Sequence, residues 1–486
     1  MTSVLAIDLG GSSGRAVLAE LSKNGQIKLE EVTRFGDYMI TNRQKVTWDF
    51  SKIMSEIKKA IRLAEKITPN FSSIAVDTWG VDFGLLDGLG RLKTEPRAYR
   101  DSYTNGMLKM IPSHLSERLL YLETGIQSME INTLFQILAQ KKFGVLEVSD
   151  SLLLMPDLIN YHLTGVKKSE LTIASTTQLL NGETKDWSEE LLESLELNPD
   201  LLYPVVKPGT ILGELTPELC KELEVTPKKV IAVGSHDTAS AVFSIPNLEN
   251  SFFLSSGTWS LLGATSPKPY LTDRSFNYQF SHEQGVEDDY LLLKNLTGLW
   301  LVEELKRDYK KQGLTLSFDD ITRLAKESNK LDFYFDTDDS ELALPGNSIK
   351  KLRSYAEKTG QEVPTTPGEF FLAVYHNLAL KYRKTFEELE ELMGVKKETL
   401  AIVGGGSNAA ILNQLTANYL DKKVYAGLPE ATVVGNTLLQ FITLGKVTID
   451  DKERLVQESF DFTEFQPEQG EWNTHYQHYI NKMEAL

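Results

Sequence analysis

Gly234-Ser235-His236-Asp237-Thr238-Ala239-Ser240-Ala241 lies almost at the midpoint of a 486-residue chain and organises the rest. It follows Val230-Ile231-Ala232-Val233, an apolar run that predicts a buried strand. Gly234 breaks that strand, and a His, an Asp and hydroxyl residues come next, before small residues that can pack closely. A carboxylate at the end of a buried strand is held rigidly, which suits a general base. The alternative is that Ser235 or Asp237 merely caps a helix.

Just beyond it, Phe252-Phe253-Leu254-Ser255-Ser256-Gly257-Thr258-Trp259-Ser260-Leu261-Leu262-Gly263 predicts strand, Ser/Gly/Thr turn and strand. The N-terminus has the same plan. Val4-Leu5-Ala6-Ile7 leads through Asp8-Leu9-Gly10-Gly11-Ser12-Ser13-Gly14-Arg15 into Ala16-Val17-Leu18-Ala19. Such hairpin tips offer backbone NH groups and hydroxyls to phosphate. Asp8, at its strand end, suits Mg²⁺ held through water. The alternative is a plain turn. No GxxxxGK[ST] pattern occurs, so this is not a P-loop. We read the repeat as two phosphate hairpins, one per half, with domains over 1–244 and 245–486.

Ser73-Ile74-Ala75-Val76 predicts another strand, running into Asp77-Thr78-Trp79-Gly80-Val81-Asp82. An indole beside carboxylates can hold a sugar, ring face on C–H groups and acids on hydroxyls; a core Trp is the alternative. Phe50–Lys66 has helical spacing with Asp49 as N-cap, and Met155-Pro156-Asp157 starts a helix that Gly165 ends. Ser175-Thr176-Thr177-Gln178 reads as turn or strand, and Pro204–Gly213 as a link. Residues 333–342, with Asp336, Asp338 and Asp339, lack the Gly and closing Glu of an EF-hand loop and read as a solvated face. Phe370–Met393 is an amphipathic helix ended by Gly394. Leu400-Ala401-Ile402-Val403 is a strand, and Gly404-Gly405-Gly406-Ser407-Asn408 opens the next helix, where glycines admit a flat base or phosphate.

Hydrophobic residues make up 41% and charged residues 24% of the chain, a globular balance that at this length predicts more than one domain. The net charge of −17 argues against nucleic acid as a partner. Any anionic ligand then needs a local field of NH groups or cations. A single cysteine, Cys220, excludes an intramolecular disulfide and suits a reducing compartment. No basic signal-like N-terminus and no apolar run near the roughly 20 residues of a membrane span are present. The expectation is a cytoplasmic monomer or homodimer with no membrane or nucleic-acid partner.

Together these motifs, with Tyr99-Arg100-Asp101 and Lys294-Asn295, resemble the FGGY carbohydrate kinases within the actin-like ATPase fold. The resemblance implies an α/β fold: two ribonuclease-H-like domains with helical insertions and a central cleft where ATP and a ketose meet. It implies phosphorylation at the 1-hydroxyl, with L-rhamnulose as acceptor, another ketose such as L-fuculose as the alternative, and Mg²⁺. Asp237 would be the general base. Trp79, Gly80, Asp82, His236, Thr238 and Asn295 would join Asp237 at the sugar. Gly11, Ser12, Ser13, Gly14, Arg15, Thr258, Glu303 and Gly405 would meet the nucleotide, and Asp8 the metal. Glu303 departs from the family pattern, which can carry Gln there; a second anion near phosphate weakens that contact. A non-catalytic nucleotide-sensing ATPase is the rival reading, but it needs neither Trp79 with Asp82 nor His236-Asp237.

Overall fold

The computed structural model describes residues 2–43, 45–147, 150–328 and 332–485. They form two α/β units that do not follow a single cut in the chain. The first comprises Met1–Pro246, Thr265–Leu292 and Ala431–Ser459, and the second Asn247–Ala264, Leu293–Glu430 and Phe460–Leu486. Two continuous halves meeting at 244/245 therefore do not describe the packing: a late helix and a mid-chain hairpin segment return to the first unit.

The first unit is built on a sheet ordered Thr210–Glu214, Lys229–Ala232, Ser73–Thr78, Thr2–Leu9, Ser13–Leu21, Ile27–Gly36. The middle three strands are parallel, and the N-terminal strand turns back antiparallel as the expected hairpin. Val4–Ile7, Ile74–Val76 and Val230–Ala232 are apolar without alternation because helices cover both faces. On one face the helix Phe50–Ile67 buries Ile53, Ile57 and Ile61, and Asp49 caps it by accepting from Lys52 N. On the other lies Ala431–Thr443, against the first strand and the short helix Asp237–Phe243. A Cβ on Gly435 would lie 1.7 Å from Ser240 O, so only glycine permits this helix contact. The Pro204–Gly213 stretch, expected as a link, contributes the edge strand from Thr210 onward, which pairs antiparallel to Lys229–Ala232.

The second unit repeats the plan. Ser251–Ser256 and Trp259–Ser266 form the second hairpin, and Ser251–Ser256 runs parallel to Thr399–Val403, which runs parallel to Lys423–Gly427. The helix Pro367–Met393 starts with a Thr366/Glu369 capping box and ends at Gly394, whose φ is +67°. The triple glycine does not open a helix directly. Gly405–Asn408 is one 3₁₀ turn, and the α-helix begins at Ala410. Nor is the 333–342 acidic stretch only solvated: Lys381 Nζ lies 3.0 Å from Asp336 and 2.8 Å from Asp338.

Candidate active site

Parallel pairing aligns the strand ends of the first unit. Asp8 stands directly across from Asp77, and Thr78 is bridged to His236. Thr78 N donates to Ser235 O at 2.9 Å. Three carboxylates far apart in sequence, Asp8, Asp77 and Asp237, thus share the carboxyl end of one sheet, the end where open α/β sheets hold ligands.

They are in different states. Asp8 accepts from Arg15 Nε at 2.9 Å and Nη2 at 2.6 Å across the hairpin. Asp77 is fully buried and accepts from Asn436 Nδ2 at 2.6 Å. Burial first, and the nearby Asp8 charge second, hold its pKa well above the usual carboxylate value. Asp237 begins its helix with 32% of its side chain accessible. Burial of the surrounding shell raises its pKa, the attraction of His236 opposes the rise, and Asp8 adds to it.

His236 sits between two acids. Its Nε2 is 3.4 Å from Asp237 Oδ1 and its Nδ1 2.9 Å from Glu283 Oε2. The backbone under it is fixed by Glu170, which is fully buried. Glu170 Oε2 accepts from Ser235 N at 3.1 Å and from Thr172 Oγ1 at 2.6 Å, and Thr172 Oγ1 accepts from His236 N at 3.1 Å. Burial pushes the Glu170 carboxyl up to about 7 despite these donors.

The Trp79–Asp82 pair is a correction. Asp82 was expected to hold sugar hydroxyls, but it is 1% exposed and already satisfied. Its Oδ2 accepts from Trp48 Nε1 at 2.6 Å, Trp79 Nε1 at 3.0 Å and Tyr99 N at 3.1 Å, and its Oδ1 from Gln136 Nε2 at 2.8 Å. Trp79 is 6% exposed, and its ring centroid lies 4.1 Å from that of Trp48. The pair is the anchor of a buried cluster that shapes the turn at Gly80. A Cβ on Gly80 would lie 3.2 Å from Thr176, whose Oγ1 accepts from Val81 N at 3.1 Å. The hydroxyl run read as turn or strand therefore buttresses Gly80.

The N-terminal hairpin divides similarly. Ser12 and Ser13 are exposed, and Gly10 N closes the turn on Ser13 O at 2.9 Å. Tyr38 Oη donates to Gly10 O, and a Cβ on Gly11 would stand 3.0 Å from Tyr99 Oη. Gly14, assigned by sequence to the nucleotide, is buried, and a Cβ there would lie 2.6 Å from Leu9 and 2.9 Å from Phe35. Packing, not phosphate, requires that glycine.

In the second unit, Thr258 is exposed at the hairpin tip, and its carbonyl accepts from Trp300 N at 3.1 Å at the start of the helix Trp300–Lys311. Glu303 lies in the first turn of that helix. Asn295 is exposed on its strand, beside Lys294, which pairs with Glu388 at 2.9 Å. Gly404 and Gly406 pack against Ser256: their Cβ atoms would meet it at 2.8 and 1.9 Å. Gly405 differs, with nothing within 4 Å of its Cβ direction, an open place for a base or phosphate to approach. Asn295, Thr258, Glu303 and Gly405 thus belong to the second unit, and Gly80, His236, Asp237 and Thr238 to the first.

Sequence reasoning missed Trp48, Gln136, Glu170, Glu283 and Asn436, and read Asp77 only as a carboxylate beside Trp79, whereas it is fully buried and bonded to Asn436. Only Asn436 carried a faint signal, as a polar residue closing the stretch Glu430-Ala431-Thr432-Val433-Val434-Gly435-Asn436 ahead of what reads as a helix of small residues. No group of three or more His, Cys, Asp or Glu side chains suited to a metal occurs among the described residues. Mg²⁺ does not need one, since it keeps waters and phosphate oxygens and takes one or two carboxylates. Asp8, with Asp237 near enough to feel its charge, offers carboxylate oxygens of the kind that ion takes. No helix among the described residues is long and apolar enough to cross a membrane.

Comparison with known proteins returns one family for both units. Residues 3–244 match the N-terminal domain, and residues 252–444 the C-terminal domain, of the FGGY family of carbohydrate kinases. The chain is 39% identical to a rhamnulokinase of Oceanobacillus iheyensis, over 94% of this chain and 97% of that one. It is 36% identical to a rhamnulokinase of Ligilactobacillus salivarius, over 99% of each. Its fold matches crystal structures of a gluconate kinase and a ligand-bound xylulose kinase from Lactobacillus acidophilus, with TM-scores of 0.80 and 0.81 at 16% and 17% identity. Each alignment covers 100% of this chain and 98% of the other.

Proposed function

This chain belongs to the FGGY family of carbohydrate kinases, and from that premise we propose that it transfers the γ-phosphoryl group of ATP to the 1-hydroxyl of L-rhamnulose. The observation that carries the choice of acceptor is the near full-length likeness to rhamnulokinases, over 94% and 99% of this chain. A cytoplasmic setting suits the single cysteine.

Phosphoryl transfer proceeds through a loose transition state, so catalysis is mainly alignment and charge neutralisation. Asp237 is the general base: its raised pKa brings it toward operating pH, and its accessible edge lets it take the hydroxyl proton. His236, Thr238 and the Gly80 turn orient the acceptor around it. The Gly11–Ser13 tip, with Ser12 and Ser13 exposed, binds phosphate through NH groups and hydroxyls, and Thr258 and Gly405 are the second unit's own candidates for nucleotide contact. Asp8 would hold Mg²⁺, which would supply charge neutralisation at the phosphates. Arg15, already bonded to Asp8, orients that carboxylate. Glu303 adds no favourable charge near phosphate and has no place in this scheme.

The test is ADP release with Mg·ATP against L-rhamnulose, L-fuculose, L-ribulose, D-xylulose and glycerol. Selective turnover of L-rhamnulose supports the reading. Preference for another ketose moves the substrate but keeps the chemistry, and ADP release that no sugar accelerates rejects the kinase.

A further inference from the structure

Glu283 comes from a segment that returns to the first unit and belongs to no motif read from sequence. We infer that Glu283 is a positioning residue of the acceptor site, holding the His236 imidazole by charge so that its second nitrogen faces Asp237. The inference rests on the proposed role of Asp237 as base.

The geometry is a line of three groups, Glu283 Oε2 to His236 Nδ1 at 2.9 Å and His236 Nε2 to Asp237 Oδ1 at 3.4 Å. The Glu283–His236 contact is an ion pair rather than an aligned hydrogen bond. Both side chains are about 10% accessible, so solvent screens the pair weakly. A buried carboxylate needs a cation, and His236 is the one ion-pair partner of Glu283 among the described residues.

The backbones of both residues are clamped to one short segment. Glu170 and Thr172 hold Ser235 N and His236 N, while Ser175 Oγ accepts from Gln284 N at 3.0 Å. His282 N, on the other side of Glu283, donates to Gly125 O at 2.8 Å. The pair is therefore built in, not a chance approach of two mobile side chains.

Glu283, Asp237 and Glu170 are the charged groups facing His236. Burial opposes its charge, but these three anions outweigh burial and lift its pKa to about 9. The resulting imidazolium draws the Asp237 pKa down against burial and the Asp8 charge. Glu283 thus acts, through the imidazolium, against the rise in the Asp237 pKa and favours the carboxylate that can accept a proton.

The experiment tracks the imidazole signals of wild-type protein and Glu283→Gln by NMR, with His236→Asn assigning the resonance. Alongside, it measures kcat/KM for ketose against pH. In wild type, His236 should titrate well above its usual 6.5. Glu283→Gln should lower that titration by about one pH unit or more. It should move the acid limb of kcat/KM to higher pH, cut turnover at neutral pH about tenfold and leave KM for ATP unchanged. A wild-type His236 that titrates at or below its usual value overturns the inference without any variant. So does a Glu283→Gln enzyme whose profile superimposes on wild type. If no ketose supports turnover, the kinase reading fails instead, and the NMR titration still decides the pair.

Discussion

Asn436 Nδ2 donates to Asp77 Oδ2 at 2.6 Å, joining residues 359 positions apart in the chain. This bond lies wholly inside the first unit, because Ala431–Ser459 returns there. Gln440, one turn later on the same helix, donates to Leu5 O at 3.2 Å, and its Oε1 accepts from Ser73 Oγ at 2.6 Å. One helix face thus ties the first strand to the strand bearing Asp77.

Asn436→Leu should therefore destabilise the first unit although it lies far in sequence from every motif. It leaves a fully buried carboxyl group without its donor, at a cost of about 1–3 kcal/mol. Thermal unfolding monitored by circular dichroism checks this. An unchanged midpoint would mean that Asp77 finds another partner.

Asp237→Asn should keep ATP affinity and lose about 10²–10⁴-fold in kcat. Titrating ATP by calorimetry alongside steady-state turnover separates the two effects. Near-normal turnover would remove Asp237 from the base role.

Neighbouring glycines should give opposite phenotypes. Gly406→Ala puts a methyl 1.9 Å from Ser256 Oγ and 2.5 Å from its Cβ, so it should lower the melting temperature. Gly405→Ala meets nothing within 4 Å, so it should fold normally and raise KM for ATP several-fold. Melting curves and ATP kinetics on both variants decide the assignment.

Acid should unfold the protein through buried neutral histidines. Burial lowers His282 to about 4 and His376 to about 3. Both folded values lie below the usual 6.5, so below pH 6.5 the unfolded chain binds more protons than the native one. Stability should fall as pH drops from about 6.5 toward 4, by up to about 3 kcal/mol for each group. Urea midpoints across that range measure the slope, and His282→Gln should flatten it.

Asp82→Ala should act on structure before sugar affinity. It removes the acceptor shared by Trp48, Trp79, Tyr99 and Gln136, so a lowered melting temperature should accompany any rise in KM for ketose. A raised KM with an unchanged melting temperature would return Asp82 to direct substrate contact.

The strands, the two hairpins and most helix ends arise from local chemistry alone. Val4–Ile7 and Val230–Val233 are apolar beyond what a half-exposed strand tolerates. Asp49 can cap only the helix on its C-terminal side, and Gly394 can adopt the left-handed turn that ends a helix. Period, caps and turns act over a few residues, so they are written in contiguous sequence. The same holds for the turn residues that follow the strand ends at Asp8, Gly10–Ser13 and His236-Asp237.

Tertiary structure alone decided which partners these groups receive. Parallel pairing put Asp8 beside Asp77, and a returning helix supplied Asn436. A returning hairpin segment supplied Glu283, and four donors converging from separate elements turned Asp82 from a sugar ligand into an anchor. Burial and hydrogen-bond satisfaction depend on what the fold brings from hundreds of residues away. The sequence around Asp82 or Gly14 therefore named the residue type correctly while leaving its task open.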